Sequence, residues 1–242
     1  MDYRALFREL SQFDTPTICN ALQELDNNGF ALTNYGKPGL ALRSKCDKII
    51  VGFAVTATIS SINPPTAEQK ALRLDLYKAT SAVEYPTVIC IKDTDAQPIG
   101  SFWGEMQASI FKSLGSEGTI TEGGVRDLDS SDKLDFPFFA TCTLVSHANI
   151  HVTGVQIPVS ICGQIVKPND IIHADKHGFA IIPEEYAEKT VLVCKKLAEA
   201  ESLLLDPCQE AIEKGTRPSP EKIFEWYNAC NRAKAGIKDS IE

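Results

Sequence analysis

The sequence predicts an α/β fold, a strand-rich core with interleaved helices followed by a helical C-terminal extension. Three observations predict it. Apolar, β-branched runs at Ile49 to Ser60 and Thr87 to Lys92 read as buried strands. Thr66 to Thr80 and Gly104 to Leu114 carry apolar residues at helical spacing. From Glu184 to Leu205 the chain becomes one amphipathic run, with Val191, Cys194, Leu197 and Leu204 apolar. The 242 residues suffice for one domain with a full core, placed at 1–205, and a helical extension at 206–242.

The elements follow in order. Asp14-Thr15-Pro16-Thr17 offers a cap and an early proline to a helix bearing Ile18, Leu22 and Leu25. Asn27-Asn28-Gly29 stops it. Asn63-Pro64-Pro65 breaks the first strand before the helix with Ala71, Leu72, Leu74, Leu76 and Tyr77. A polar segment, Lys92 to Pro98, leads to the helix with Met106, Ile110, Phe111 and Leu114. Gly118 to Thr121 is a short strand that runs into Gly123-Gly124. Phe138 to Val145, Ile150 to Ile161, a strand and turn over Ile165 to Asp170, and Ala180 to Pro183 complete the strands. Pro207 and Thr216 to Pro220 punctuate the tail, and Ser219 begins a last helix through Phe224, Trp226 and Tyr227.

Composition narrows the function. A net charge of −8 repels phosphate backbones, and no Lys/Arg run offsets it, so no nucleic-acid partner is expected. The apolar runs are too short to span a bilayer, so no membrane partner is expected. Met1-Asp2-Tyr3-Arg4 lacks the basic-then-apolar pattern of a secretion signal, which predicts a cytoplasmic location. The eight cysteines contain no C-x-x-C pair and predict packed thiols, Cys90 and Cys162 being buried.

Two segments carry candidate chemistry. Gly123-Gly124 allows a sharp bend or a close approach to a ligand. Arg126 then offers a planar fork for a carboxylate, and Asp127 a hard oxygen ligand for Mg2+ or Mn2+. If Gly104 opens a helix, the N–H groups of Gly104, Glu105, Met106 and Gln107 form an anion site, with the Glu105 carboxylate beside them. Taken singly, the first segment also fits a surface ion pair and the second an ordinary acidic helix start. The pairs His147/His151 and His173/His177 have i, i+4 spacing, which suits two metal ligands only on a helix. In strands such residues lie roughly 13 Å apart, so packing roles are expected.

The spacing of these segments adds a resemblance. Gly104-Glu105, followed 21 residues after Glu105 by Arg126-Asp127, resembles the G-x-x-x-D-x20-R-D signature of the RraA-like family. That family includes metal-dependent 4-hydroxy-4-methyl-2-oxoglutarate aldolases and the RraA regulators of ribonuclease E. Thr15 to Leu22 is similar to the family's opening helix. Val166 to Asp170 and Asp175 to Pro183 are similar to its closing V-x-P-G-D and D-x-D-G-V-x-x-x-P stretch. This chain departs in having Glu105 for Asp, Ser101 for the signature's first Gly, Glu122 before Gly-Gly, Thr141-Cys142-Thr143 for an Arg-Gly, and Lys176-His177 in the closing turn.

The resemblance implies an αββα sandwich of the swivelling-domain type, assembled as a homotrimer or hexamer with the pocket between subunits. It implies that Asp127 binds Mg2+ or Mn2+, that Arg126 holds a pyruvyl group, and that the amides of Gly104 to Gln107 receive its carboxylate. Glu105 would position a water at the metal, and Glu199 or Glu201 would reach across the interface. The implied activity is cleavage of a 4-hydroxy-2-oxo acid to pyruvate, with oxaloacetate decarboxylation through the same enolate. Two other readings stay open: a non-catalytic protein-binding regulator, and a divergent enzyme acting on another di- or tricarboxylic acid.

Overall fold

Two aspartates set the first two helices of the computed structural model, which describes residues 1–26, 29 and 33–238. The Asp2 carboxylate accepts from the Arg4 and Ala5 N–H groups and starts α1 (Tyr3–Leu10). Asp14 accepts from the Thr17 N–H and starts α2 (Thr15–Leu25), with Pro16 in its first turn. The expected stop at Asn27-Asn28 lies outside the described residues. After β1 (Ala41–Leu42) and β2 (Ile50–Ser60), a Thr66/Gln69 capping box opens α3 (Ala67–Ser81). There follow β3 (Thr87–Asp93), β4 (Ser101–Trp103), α4 (Glu105–Ser113), β5 (Ser116–Val125), α5 (Leu128–Lys133) and β6 (Phe138–Thr143). The remainder is β7 (His151–Val155), β8 (Val159–Ile161), β9 (Gln164–Val166), β10 (Ile171–Asp175), β11 (Gly178–Ile182), α6 (Ala187–Glu213) and α7 (Pro220–Ala235).

The main sheet runs in the order β1-β6-β5-β3-β2-β10-β11, with β4 on β5 and β7 on β2. Strands β2, β3, β5 and β6 are parallel neighbours, and β10 joins β2 antiparallel. Alternation along the strands feeds three apolar layers. Val55, Ile59, Ile89, Ile91 and Val125 face Leu76 of α3 and Phe111 of α4. The opposite face, with Ala54, Val88, Cys90 and Ile120, meets Val159 and Ile161 of β8 and Ile172 and Phe179 of the β10–β11 hairpin. The outer side of that hairpin, through Ile171 and Ile182, packs on α1, α2 and α6. The layers are therefore helix, sheet, sheet, helix, which is the expected αββα sandwich followed by a helical C-terminal region.

Several boundaries differ from the sequence reading. The strand expected at 118–121 spans Ser116–Val125, because Gly123 and Gly124 continue it. A Cβ on Gly124 would run into Leu144, and one on Gly123 would press Ile59 at 3.3 Å, so these glycines serve close packing inside the sheet. The run Ile150 to Ile161 divides into β7 and β8 around Pro158, whose ring cannot donate to a ladder. Helix α6 continues through Pro207 to Glu213 and crosses the expected boundary at residue 205 without a break. Cys90 is buried as expected, whereas Cys162 is only half-buried.

His173 explains how α1 and α2 are fastened to β10. It is fully buried, its Nδ1 lies 2.9 Å from Thr15 Oγ1, and its Nε2 lies 3.3 Å from the Leu10 carbonyl oxygen. Burial pushes its pKa down to about 4. Asp175 accepts from the N–H groups of Thr15 and His177, both at 2.8 Å. His173 and Asp175 are structural fasteners; the expected packing role holds for His173, whereas His177 is exposed, with its Nδ1 3.2 Å from Asp175 Oδ1.

Candidate active site

Glycine at position 104 and a bend at Asp127 bring the two candidate segments together. Strands β4 and β5 run parallel, with Ser101 opposite Gly124 and Trp103 opposite Val125. The Arg126 N–H donates to the Trp103 carbonyl at 3.1 Å and extends this register by one residue. The chain then turns at Asp127, whose φ of 54° and ψ of 45° lie in the left-handed region. Asp is one of the few non-glycine types that tolerate this conformation. The turn points the Asp127 carboxylate at the start of α4, where Oδ2 accepts from the Glu105 N–H at 3.1 Å. A Cβ on Gly104 would stand 2.5 Å from that oxygen, so only glycine leaves the carboxylate in place. Arg126 Nε lies 3.8 Å from the same oxygen, a loose and partly exposed pair.

Four N–H groups at a helix start lack intrahelical partners, here those of Gly104 to Gln107. Asp127 takes the Glu105 N–H. The Met106 and Gln107 N–H groups therefore remain at the positive end of α4 for an anion. The Gln107 side chain is buried and accepts from the Tyr77 hydroxyl at 3.0 Å, which ties α4 to α3.

These residues edge a cavity of about 450 Å³, within the range of about 300–1,000 Å³ that small-molecule sites occupy. Gly104, Met106, Gln107, Arg126 and Asp127 all line it. Glu105 does not; its side chain is exposed at the rim. Ser101, at the family's glycine position, is buried below, and its hydroxyl donates to the Gly124 carbonyl at 2.9 Å. Among the described residues no group of three or more His, Cys, Asp or Glu side chains is arranged to hold a metal ion, and Asp127 is the protein carboxylate in the cavity lining.

The cavity also holds residues that the sequence did not mark. Arg73 reaches it from α3 with its guanidinium 5.7 Å from the centre of the Phe102 ring. His147 and Asn149 come from the loop between β6 and β7. The His147 Nδ1 lies 2.7 Å from the Ala148 carbonyl, which can only accept; the neutral ring thus carries its proton on Nδ1 and a lone pair on Nε2. The i, i+4 spacing of His147 and His151 predicts packing roles for both, whereas the structure places His147 in the cavity lining. Its partner His151 is indeed buried and lies outside the lining, with Nδ1 against the Asn149 carbonyl. Of the late-helix carboxylates, Glu201 is held by Lys234 at 2.6 Å, and Glu199 is exposed.

Deeper in the sheet, Asp93 ends β3 beside Gly123. It is 3% exposed, its Oδ1 accepts from the Asp95 N–H at 3.0 Å, and its Oδ2 has no partner among the described residues. Burial raises its pKa to about 6.

The αββα sandwich brings Asp127 and Arg126 to the start of α4, and the comparisons identify the family that has this fold. The RraA-like family, described as Aldolase/RraA, matches residues 15–181, and the chain belongs to it. A protein of Halalkalibacterium halodurans named "Putative 4-hydroxy-4-methyl-2-oxoglutarate aldolase" is 27% identical over 191 residues, covering 77% of this chain and 82% of that protein. A crystal structure of an uncharacterized Pseudomonas syringae pv. tomato protein has a TM-score of 0.68 at 22% identity, covering 91% of this chain and 93% of that one. Streptomyces coelicolor RraAS2, described as an unusual member of the RNase ES inhibitor RraA protein family, has a TM-score of 0.66 at 20% identity, covering 82% and 94%. These two likenesses concern the fold.

Proposed function

We propose that the protein is a divalent-metal-dependent lyase that cleaves a 4-hydroxy-2-oxo acid of the 4-hydroxy-4-methyl-2-oxoglutarate type to pyruvate and also decarboxylates oxaloacetate. The supporting observation is the convergence of Asp127, Arg126 and the open amides of α4 on one cavity. The name of the H. halodurans relative points the same way.

The donor set fits Mg2+ or Mn2+. Such hard ions need only one or two protein carboxylates and complete their shell with water and substrate oxygens. Asp127 would hold the ion, and the missing Cβ of Gly104 keeps Oδ2 available. The ion would supply positive charge beside the keto and carboxylate oxygens, where C–C cleavage leaves an enolate. Arg126 grips the pyruvyl unit with its planar fork, and the Met106 and Gln107 amides receive the carboxylate. Glu105, at the rim, holds the water that accepts the 4-hydroxyl proton. As the bond between C3 and C4 breaks, its electron pair passes into the enolate, and a proton returned to C3 gives the methyl group of pyruvate. We carry the homotrimer or hexamer as part of this proposal, with Glu199 as the carboxylate offered to a neighbouring subunit.

The test is pyruvate release from 4-hydroxy-4-methyl-2-oxoglutarate and from oxaloacetate, with Mg2+ and with excess EDTA. Release that EDTA abolishes supports the lyase. The second reading, a protein-binding regulator, draws on the position of Glu105 outside the cavity lining. It predicts no metal-dependent turnover on either acid.

A further inference from the structure

The charge around the cavity is the reverse of the charge on the molecule. The chain carries −8, yet the lining holds two fixed cations, Arg73 and Arg126, and one carboxylate, Asp127. A divalent ion on Asp127 would make the imbalance larger. The proposed chemistry employs Arg126 and the start of α4 at the pyruvyl end, which leaves Arg73 without a task. It also leaves Arg73 without a carboxylate: among the described residues no ion pair involves it, and Asp75, its neighbour on α3, pairs with Lys78 at 3.6 Å. Its guanidinium rests on the face of Phe102, a 4% exposed ring that cannot move aside. A cation–π contact of this kind holds the guanidinium beside the ring and leaves its N–H edges free to bind a carboxylate in two places. A small acid bearing one charge would leave this second cation unmatched within the same 450 Å³.

We propose that Arg73 is the specificity-determining residue of the site, binding the carboxylate at the end of the substrate remote from the keto group and so selecting dicarboxylic over monocarboxylic 2-oxo acids. This rests on the lyase reading for the orientation of the substrate, but its test does not depend on turnover. 2-Oxoglutarate and 2-oxopentanoate share a five-carbon chain and a 2-oxo acid head, and differ in a terminal carboxylate against a methyl group. Neither has the 4-hydroxyl that cleavage requires. Their binding to the full chain with Mg2+ is measured by calorimetry for the wild type, Arg73→Gln and Arg73→Lys.

The wild type is expected to bind 2-oxoglutarate about tenfold or more tightly than 2-oxopentanoate, the margin of a charge-assisted fork. Arg73→Gln reduces that ratio to about twofold or less, chiefly by weakening 2-oxoglutarate. Arg73→Lys restores part of the ratio, because it keeps the charge and loses the fork. A wild type without preference, or a preference that survives Arg73→Gln, overturns the assignment. A preference that depends on Arg73 in a protein that releases no pyruvate supports the assignment and removes the lyase reading; turnover without the preference does the reverse.

Discussion

Asp127 occupies a backbone conformation that costs a non-glycine residue about 1–2 kcal/mol, and the carboxylate this directs at α4 has only the space left by a missing Cβ at Gly104. Gly104 itself is extended, at φ −170°, so alanine meets no backbone strain there. The main conflict of Gly104→Ala is with the Asp127 carboxylate at 2.5 Å, with a lesser one against Arg126 Cγ at 3.3 Å. Displacements near 1 Å at a reacting centre cost on the order of 100-fold in rate. Gly104→Ala is therefore expected to lower kcat/KM by about that factor while its denaturation midpoint moves little. Steady-state kinetics paired with a urea titration separates the two.

Asp93 and His173 give the molecule opposing pH responses. His173 is held near 4 in the fold against an ordinary value near 6.5, so between those values the unfolded chain binds the extra proton. Its stabilising share is present above about pH 6.5 and is lost as pH falls toward 4. Asp93 is raised from 3.8 to about 6, so the folded chain binds the extra proton. Its share is present below pH 3.8 and is lost as pH rises through about 6. Asp93→Asn removes the second response only. Relative to wild type, the variant should gain about 3 kcal/mol between pH 4 and pH 7, a two-unit shift at 1.36 kcal/mol per unit. Urea titrations at the two pH values check this; an unchanged difference would show that Asp93 does not titrate in that window.

At the scale of elements, the strands and helices that surround the cavity were largely legible, and their exact ends were not. Periodicity and β-branching gave β2, β3, α3 and α4, because each buries one face or stripe that the sequence repeats. Strand β4 has three residues, too few for a pattern, and α5 has six with little apolar character. Gly123-Gly124 suggested a bend, yet the bend lies at Asp127, because the glycines accommodate Leu144 and Ile59 across the sheet. That packing is non-local and leaves no mark in the segment itself. The same holds for Arg73 and His147, which stand 53 and 21 residues away from Arg126 and meet it only through the cavity.

Helix α6 shows a local rule overridden. Proline in a helix interior removes one backbone hydrogen bond and costs about 3 kcal/mol relative to alanine, yet α6 passes through Pro207 and goes on to pack with α7. Contact with α7, including Lys234 on Glu201, offsets that loss. Pro207→Ala should then raise the thermal midpoint and the helical circular-dichroism signal, with pyruvate release unaltered. A lowered midpoint would mean that α7 packing requires the proline.

For the whole molecule, the layered sandwich places the ends of parallel β4 and β5 and the start of α4 at one edge, and the cavity opens there. Such an edge is where α/β sheets commonly bind ligands. No described helix is long and apolar enough to cross a membrane, and a chain of net charge −8 has a cavity edged by two arginines. The cavity lining thus runs against the net charge of the chain, with Arg73 and Arg126 beside the single carboxylate of Asp127. The central claim is that Asp127 holds a divalent ion essential to carbon–carbon cleavage. The most direct test is the rate of pyruvate release from 4-hydroxy-4-methyl-2-oxoglutarate by Asp127→Ala against wild type, both in saturating Mg2+. The account predicts a loss of about 100- to 1,000-fold, the scale of removing one electrostatic stabiliser from an active site, with the variant still folded. A rate within about threefold of wild type would contradict it.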